Sequence, residues 1–187
     1  MHVMNRGGSH KDIFKEKMDY EYFLMLLKDC RKRYACIIHA YCLMTNHYHL
    51  LLETSDKEIW YIMKRIDQMY TGYFNKKYGK DGALLRGRYK ACDVASDSYF
   101  LQTSRYISLN PVNAKMVSSA EQYKWSSYRT MIGLCDDGVT EVGKTLLYFK
   151  DCSRSLYGEF VEAGEACKDE IDLIISQGIG DEEWLPW

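Results

Sequence analysis

The chain has 187 residues, 47% apolar and 27% charged, an ordinary soluble profile with length enough for one domain, a real core and a short appendage. No apolar run approaches the roughly 20 residues that span a bilayer, and the opening MHVMNRGGSH lacks an apolar signal core, so the expectation is a cytoplasmic protein with no membrane contact. The net charge of −1 conceals an asymmetry: residues 1–129 carry 21 Lys and Arg against 13 Asp and Glu, a net of +8, and residues 130–187 carry 4 against 13, a net of −9.

A basic body can neutralise phosphates, and an acidic tail repels them. Seven cysteines, at 30, 36, 42, 92, 135, 152 and 167, form no CxxC pair, and their total is odd. They read as buried free thiols in a reducing compartment, not as a disulfide framework or a zinc site.

HVMNRGG predicts a short first strand ending in a glycine turn. From Asp19 to about Tyr34 the positions Tyr22, Phe23, Leu26, Leu27 and Cys30 make one helical stripe. ACIIHAYCLM is a strand, MTN (44–46) a turn, and HYHLLLE the returning strand of a hairpin. Alternation puts His47, His49 and Leu51 on one face and Tyr48, Leu50 and Leu52 on the other, where they can bury against a helix.

SDKE (55–58) reads as a capping box opening a second helix that runs to about Tyr78, with Gly79 as its C-cap. Its expected buried stripe is Ile59, Ile62, Ile66, Met69 and Tyr73. LLRGRYKACDV is a loop leading into a strand. Its Arg86, Arg88, Tyr89 and Lys90 make a basic and aromatic patch suited to phosphates and stacked bases, or a solvated strand edge. A third helix is capped by Ser96 or Asp97, packs Tyr99, Phe100, Thr103 and Ile107 on the core, and should stop at Pro111. The order β α β β α β α, with hairpin strands and helices packed on one face, predicts an α+β fold. Residues 130–187 read as an acidic helical tail or small subdomain after a body of residues 1–129.

Two histidines on one strand face can hold one metal ion, or can be polar residues facing solvent. On the third helix Gln102, Tyr106 and Asn110 recur at i, i+4 and i+8, forming a polar row away from the core positions. Tyr106 is a core aromatic or a nucleophile, and the amide oxygen of Asn110, one turn on, could complete a metal site.

HVMNRG, AYCLMTNHYHLLLE, GRYKACDV and SRYISLNPV, in that order, resemble the single-tyrosine transposases of the HUH endonuclease superfamily, and most of all the REP-associated tyrosine transposases. The likeness covers roughly residues 1–128. It implies a ferredoxin-like antiparallel sheet with the histidine pair, His47 and His49, on a central strand. It implies Mg²⁺ or Mn²⁺ as cofactor, Asn110 as the third ligand and Tyr106 as the nucleophile that forms a 5′-phosphotyrosine. It also implies single-stranded DNA, displayed as a hairpin, as substrate, and a homodimer. Thr45 stands where relatives place a proline, and Lys115 where a glycine is common. Other readings keep the same residues: a non-cleaving DNA-binding regulator, and a phosphoesterase that uses water while Tyr106 is structural.

Overall fold

The computed structural model describes residues 1–54 and 59–164. The capping box expected at 55–58 and residues 165–187 of the acidic tail, with Cys167, lie outside these residues. Four strands form one antiparallel sheet in the order β2-β3-β1-β4, from β1 (His2–Arg6), β2 (Ile37–Leu43), β3 (His47–Glu53) and β4 (Lys90–Cys92). With α1 (Lys17–Tyr34), α2 (Ile59–Tyr78) and α3 (Asp97–Asn113), the element order is the expected β α β β α β α, a ferredoxin-like arrangement.

The layering is fuller than a sheet covered on one face. Val3, Tyr41, Leu43, Tyr48, Leu50 and Leu52 pack against α1 and α2 in one core. The other face presents Ala40, Cys42 and Leu51 to Phe100, Tyr106 and Ile107 of α3. Alternation along β2 and β3 makes this inevitable, because both parities carry apolar residues and each set needs cover. The outer edge of β2 is covered too: Leu43 N–H donates to the Trp125 carbonyl at 2.9 Å and Tyr41 N–H to Ser127 Oγ at 2.9 Å. Residues of the YKWSSY segment thereby close an edge that would otherwise invite pairing.

α2 differs from its expected stripe. Its buried residues are Ile62, Met63, Ile66, Tyr70 and Phe74, while Met69 is 42% exposed. The helix turns by one position because Tyr70 buries a larger ring and still satisfies its hydroxyl, which donates to the Ile13 carbonyl at 2.6 Å. Tyr73 is left half-buried, stacked on Tyr22. Asp19, on α1, is fully buried and accepts from Lys15 N–H, Glu16 N–H, Tyr73, Lys77 and Tyr78. Burial would raise its carboxyl, but these donors, Lys77 foremost, hold it below the usual carboxylate range.

α3 also departs from expectation. It does not stop before Pro111 but continues to Asn113. A proline so near the end removes one backbone bond and leaves only two residues beyond it, so the break never develops. The turn closes when Met116 N–H donates to the Pro111 carbonyl and Lys115 N–H to that of Val112, with Lys115 in the left-handed region at φ 56°. Every residue from Thr103 to Pro111 is buried. Behind α3 lie α4 (Tyr128–Met131), α5 (Gly143–Leu146) and α6 (Arg154–Glu162). Leu109, Tyr128, Met131, Leu146, Tyr157 and Val161 make a third core there. The hydroxyls of Ser104 and Ser108 lie 2.8 and 3.2 Å from that of Tyr157.

Cys30, Cys36, Cys42 and Cys92 are buried free thiols, and Cys135 and Cys152 are exposed free thiols. Among the described residues no helix is long and apolar enough to cross a membrane.

Asp19→Ala should cost about 3 kcal/mol, because it leaves buried donors without their acceptor. Lys115→Gly should add about 1 kcal/mol by relieving a side chain from the left-handed region. Urea unfolding of the two variants checks both signs.

Candidate active site

The site is built where β3 meets α3. Tyr48 points into the α1 and α2 core, so His47 and His49 point to the α3 face. Gly7 sets the tip beside them: its N–H donates to the Asn46 carbonyl at 2.8 Å. A Cβ on Gly7 would sit 2.0 Å from the Lys11 carbonyl oxygen, so only glycine fits.

Asn110 lies against both histidines. Its Oδ1 is 3.2 Å from His47 Nε2, and its Nδ2 is 3.3 Å from His49 Nε2. Tyr106, one turn earlier on α3, stands edge-on to His49 with ring centroids 5.4 Å apart. The structure therefore brings together four of the residues singled out in the sequence: His47, His49, Tyr106 and Asn110. Tyr106 is 2% exposed and packs in the α3–sheet core as well.

The partners determine the tautomers. Asn110 Nδ2–H donates to His49 Nε2, so His49 carries its proton on Nδ1. That Nδ1–H donates to Nε2 of His2 at 3.1 Å. His2 is fully buried and stacked on His49 at 5.3 Å, and sequence reasoning passed over it. Its signal was parity: the β1–β3 register pairs His2 with Leu51, Met4 with His49 and Arg6 with His47, so all share the histidine face. His47 differs, because both of its ring nitrogens face amide oxygens: Nδ1 lies 2.6 Å from Asn46 Oδ1 and Nε2 lies 3.2 Å from Asn110 Oδ1. A neutral imidazole has one proton, so one of these contacts is lone pair against lone pair; with the proton at the shorter contact, on Nδ1, it is Nε2 that faces Asn110 Oδ1.

Burial suppresses protonation throughout. It brings His47 down to about 4, with the Asn110 contact opposing, and His2 to about 3, with the N-terminal ammonium adding. It drives His49 well below the usual imidazole value, helped by His47 and His2. Two neutral imidazole nitrogens, His47 Nε2 and His49 Nε2, beside the amide oxygen of Asn110 are donors of a kind that suits a divalent cation. Among the described residues no three His, Cys, Asp or Glu side chains gather as a metal cluster.

The four residues of the basic patch divide. Arg86 lines a cleft of about 530 Å³ with Arg6 and His10, beside His47, and Lys90 pairs with Met4 on the histidine face. Arg88 and Tyr89 line a second cleft, with Trp60 and Lys64 of α2. Gln102, first in the polar row, has a buried Oε1 with no hydrogen-bond partner among the described residues.

A family described as IS200-like transposases matches residues 1–110. No curated protein matches the chain. Among solved structures the chain is similar to one described as a REP-associated tyrosine transposase bound to a REP hairpin. The TM-score is 0.59 at 15% identity, over 76% of this chain and 87% of that one. At that identity the shared property is the fold.

In the presence of a chelator, the rings of His2, His47 and His49 should stay neutral from pH 8 down to 5. Unfolding takes these imidazoles to ordinary values near 6.5, where they bind protons that the folded state refuses. Stability should therefore fall as pH drops from about 6.5 towards 4, by up to about 1.4 kcal/mol per pH unit for each ring. Imidazole NMR and denaturant midpoints across that range check it.

Proposed function

The chain belongs to the IS200-like transposase family, and from that premise we propose that it cleaves and rejoins single-stranded DNA through a tyrosine adduct. The observation that carries this reading is the meeting of His47, His49 and Asn110 one helical turn from Tyr106.

In this reading Tyr106 is the nucleophile. Its hydroxyl oxygen bonds to the scissile phosphorus, and the 3′ oxygen of the neighbouring nucleotide leaves. The products are a 5′-phosphotyrosine and a free 3′-hydroxyl. That hydroxyl can later attack the adduct and reseal a strand, because the phosphodiester bond energy is kept in the tyrosine link. A divalent ion, Mg²⁺ or Mn²⁺, held by His47, His49 and Asn110 would supply Lewis acidity at the scissile phosphate. His2 positions His49, since its Nε2 accepts the hydrogen bond from His49 Nδ1–H and so keeps Nε2 of His49 as the donor lone pair. Arg6, Arg86 and Lys90, beside or on the histidine face, offer cations to the strand's phosphates. The substrate in this reading is a DNA hairpin, in keeping with the hairpin held by the similar structure.

One observation favours a second reading, a non-cleaving DNA-binding regulator of the same fold: Tyr106 is only 2% exposed. For cleavage, the entering strand must draw the phenol out from between α3 and the sheet.

Labelled single-stranded hairpins from around the gene, incubated with Mn²⁺ or Mg²⁺, should yield a denaturant-resistant protein–DNA band that Tyr106→Phe abolishes. Cleavage that persists in Tyr106→Phe would assign a water-using phosphoesterase, and binding without cleavage on every flanking hairpin would assign the regulator. His2→Phe, which keeps a stacked ring but removes the acceptor, should weaken Mn²⁺ binding about tenfold to a hundredfold by calorimetry.

A further inference from the structure

A cleft of about 420 Å³ opens between α2 and residues 87–89, on the side of the sheet away from the histidines. It is walled by Trp60 and Tyr89, rimmed by Lys64 and Arg88, and floored by Asp67. Trp60 is 42% exposed, its indole stacked on Tyr61 at 3.9 Å. Such a large exposed aromatic, next to cations, contributes little to a core and is well suited to a π-face partner.

The floor is held in place. Asp67 Oδ1 accepts from the Tyr48 hydroxyl at 2.6 Å, and Oδ2 from Asn5 Nδ2 at 3.1 Å. The same Asn5 amide donates to the Gly87 carbonyl at 3.2 Å, tying the floor to the loop that forms the far wall. Each carboxylate oxygen keeps a further lone pair. Burial raises Asp67 to about 6, against the Tyr48 and Asn5 bonds, so near neutral pH it is largely an acceptor without a proton.

We propose that this cleft takes one unpaired nucleotide of the DNA strand. The base stacks on Trp60 and Tyr89 and gives its exocyclic amino group to Asp67, while Lys64 and Arg88 take the flanking phosphates. Guanine, adenine and cytosine carry that amino group. Thymine does not, and its carbonyl oxygens would face the carboxylate. The inference rests on the DNA reading above, and it adds a choice of base made away from the scissile phosphate.

The test uses the full chain and thymine nonamers with a central guanine, adenine, cytosine or thymine, read by fluorescence anisotropy. Each amino-bearing base should bind roughly fivefold or more tightly than the all-thymine strand, the scale of one net hydrogen bond. Trp60→Ala, an exposed position, should weaken the binding of all four strands, because every base stacks, and Asp67→Asn should shrink the preference over thymine. Equal binding of all four strands, binding unchanged in Trp60→Ala, or a preference unchanged in Asp67→Asn, overturns the proposal. If the Tyr106 adduct still forms in that case, the cleft fails while the DNA reading stands. If no strand binds, both fall.

Discussion

Tyr48 is the residue on which the arrangement turns. It is wholly buried, its ring 4.9 Å from that of Phe23 and its hydroxyl bonded to Asp67. A strand has only two faces, and a slip of one residue exchanges them. Pinning Tyr48 to the α1 and α2 layer therefore forces its two neighbours towards α3. The β1–β3 register then carries the same parity across the sheet and aligns His2, Met4 and Arg6 with the histidines. Ala40 and Cys42, small residues on the same face of β2, leave room for the rings of Tyr106 and Phe100. One hydroxyl–carboxylate contact on the far side of the sheet thus governs the geometry of the near side.

The near side is poorly matched to itself. Three imidazoles are kept neutral by burial, and the proton on His47 cannot serve both Asn46 and Asn110. A core optimised for stability would place apolar groups there. Local mismatch held by a well-determined surround is a common mark of a functional site. The surround here is strong: β3 is hydrogen-bonded on both sides, and α3 is buried along nine successive residues.

Much of this was legible in the sequence. The hairpin tip, the parity of His47 and His49 and the end of α1 at Tyr34 follow from local periodicity and survived folding. The row of Tyr106 and Asn110 on α3 kept its spacing but not its expected separation from the core, because Tyr106 packs with Phe100 and Ile107 against the sheet. What was not legible depends on distant partners. Met69 and Tyr70 are equally apolar to a periodicity argument, and only the Ile13 carbonyl decides between them. Asp19 reads as a surface acid until donors from α2 arrive. His2 looks like an incidental residue of a short strand until the register places it behind His49. Residues 86–90 look like one patch because they are adjacent, yet they divide between two clefts.

α3 is gripped from two sides. The sheet holds one side, and on the other the hydroxyls of Ser104 and Ser108 converge on the single phenol of Tyr157, with Leu109 packed beside it. A gene cut short after residue 129 would strip that backing from the helix bearing Tyr106 and Asn110, leaving two buried hydroxyls and an apolar strip open to water. An exchange of C-terminal segments between relatives would meet the same obstacle, unless the incoming piece brought a phenol of equal reach. The two parts of the coding sequence are thereby bound to a shared inheritance, and drift in either is checked by the other.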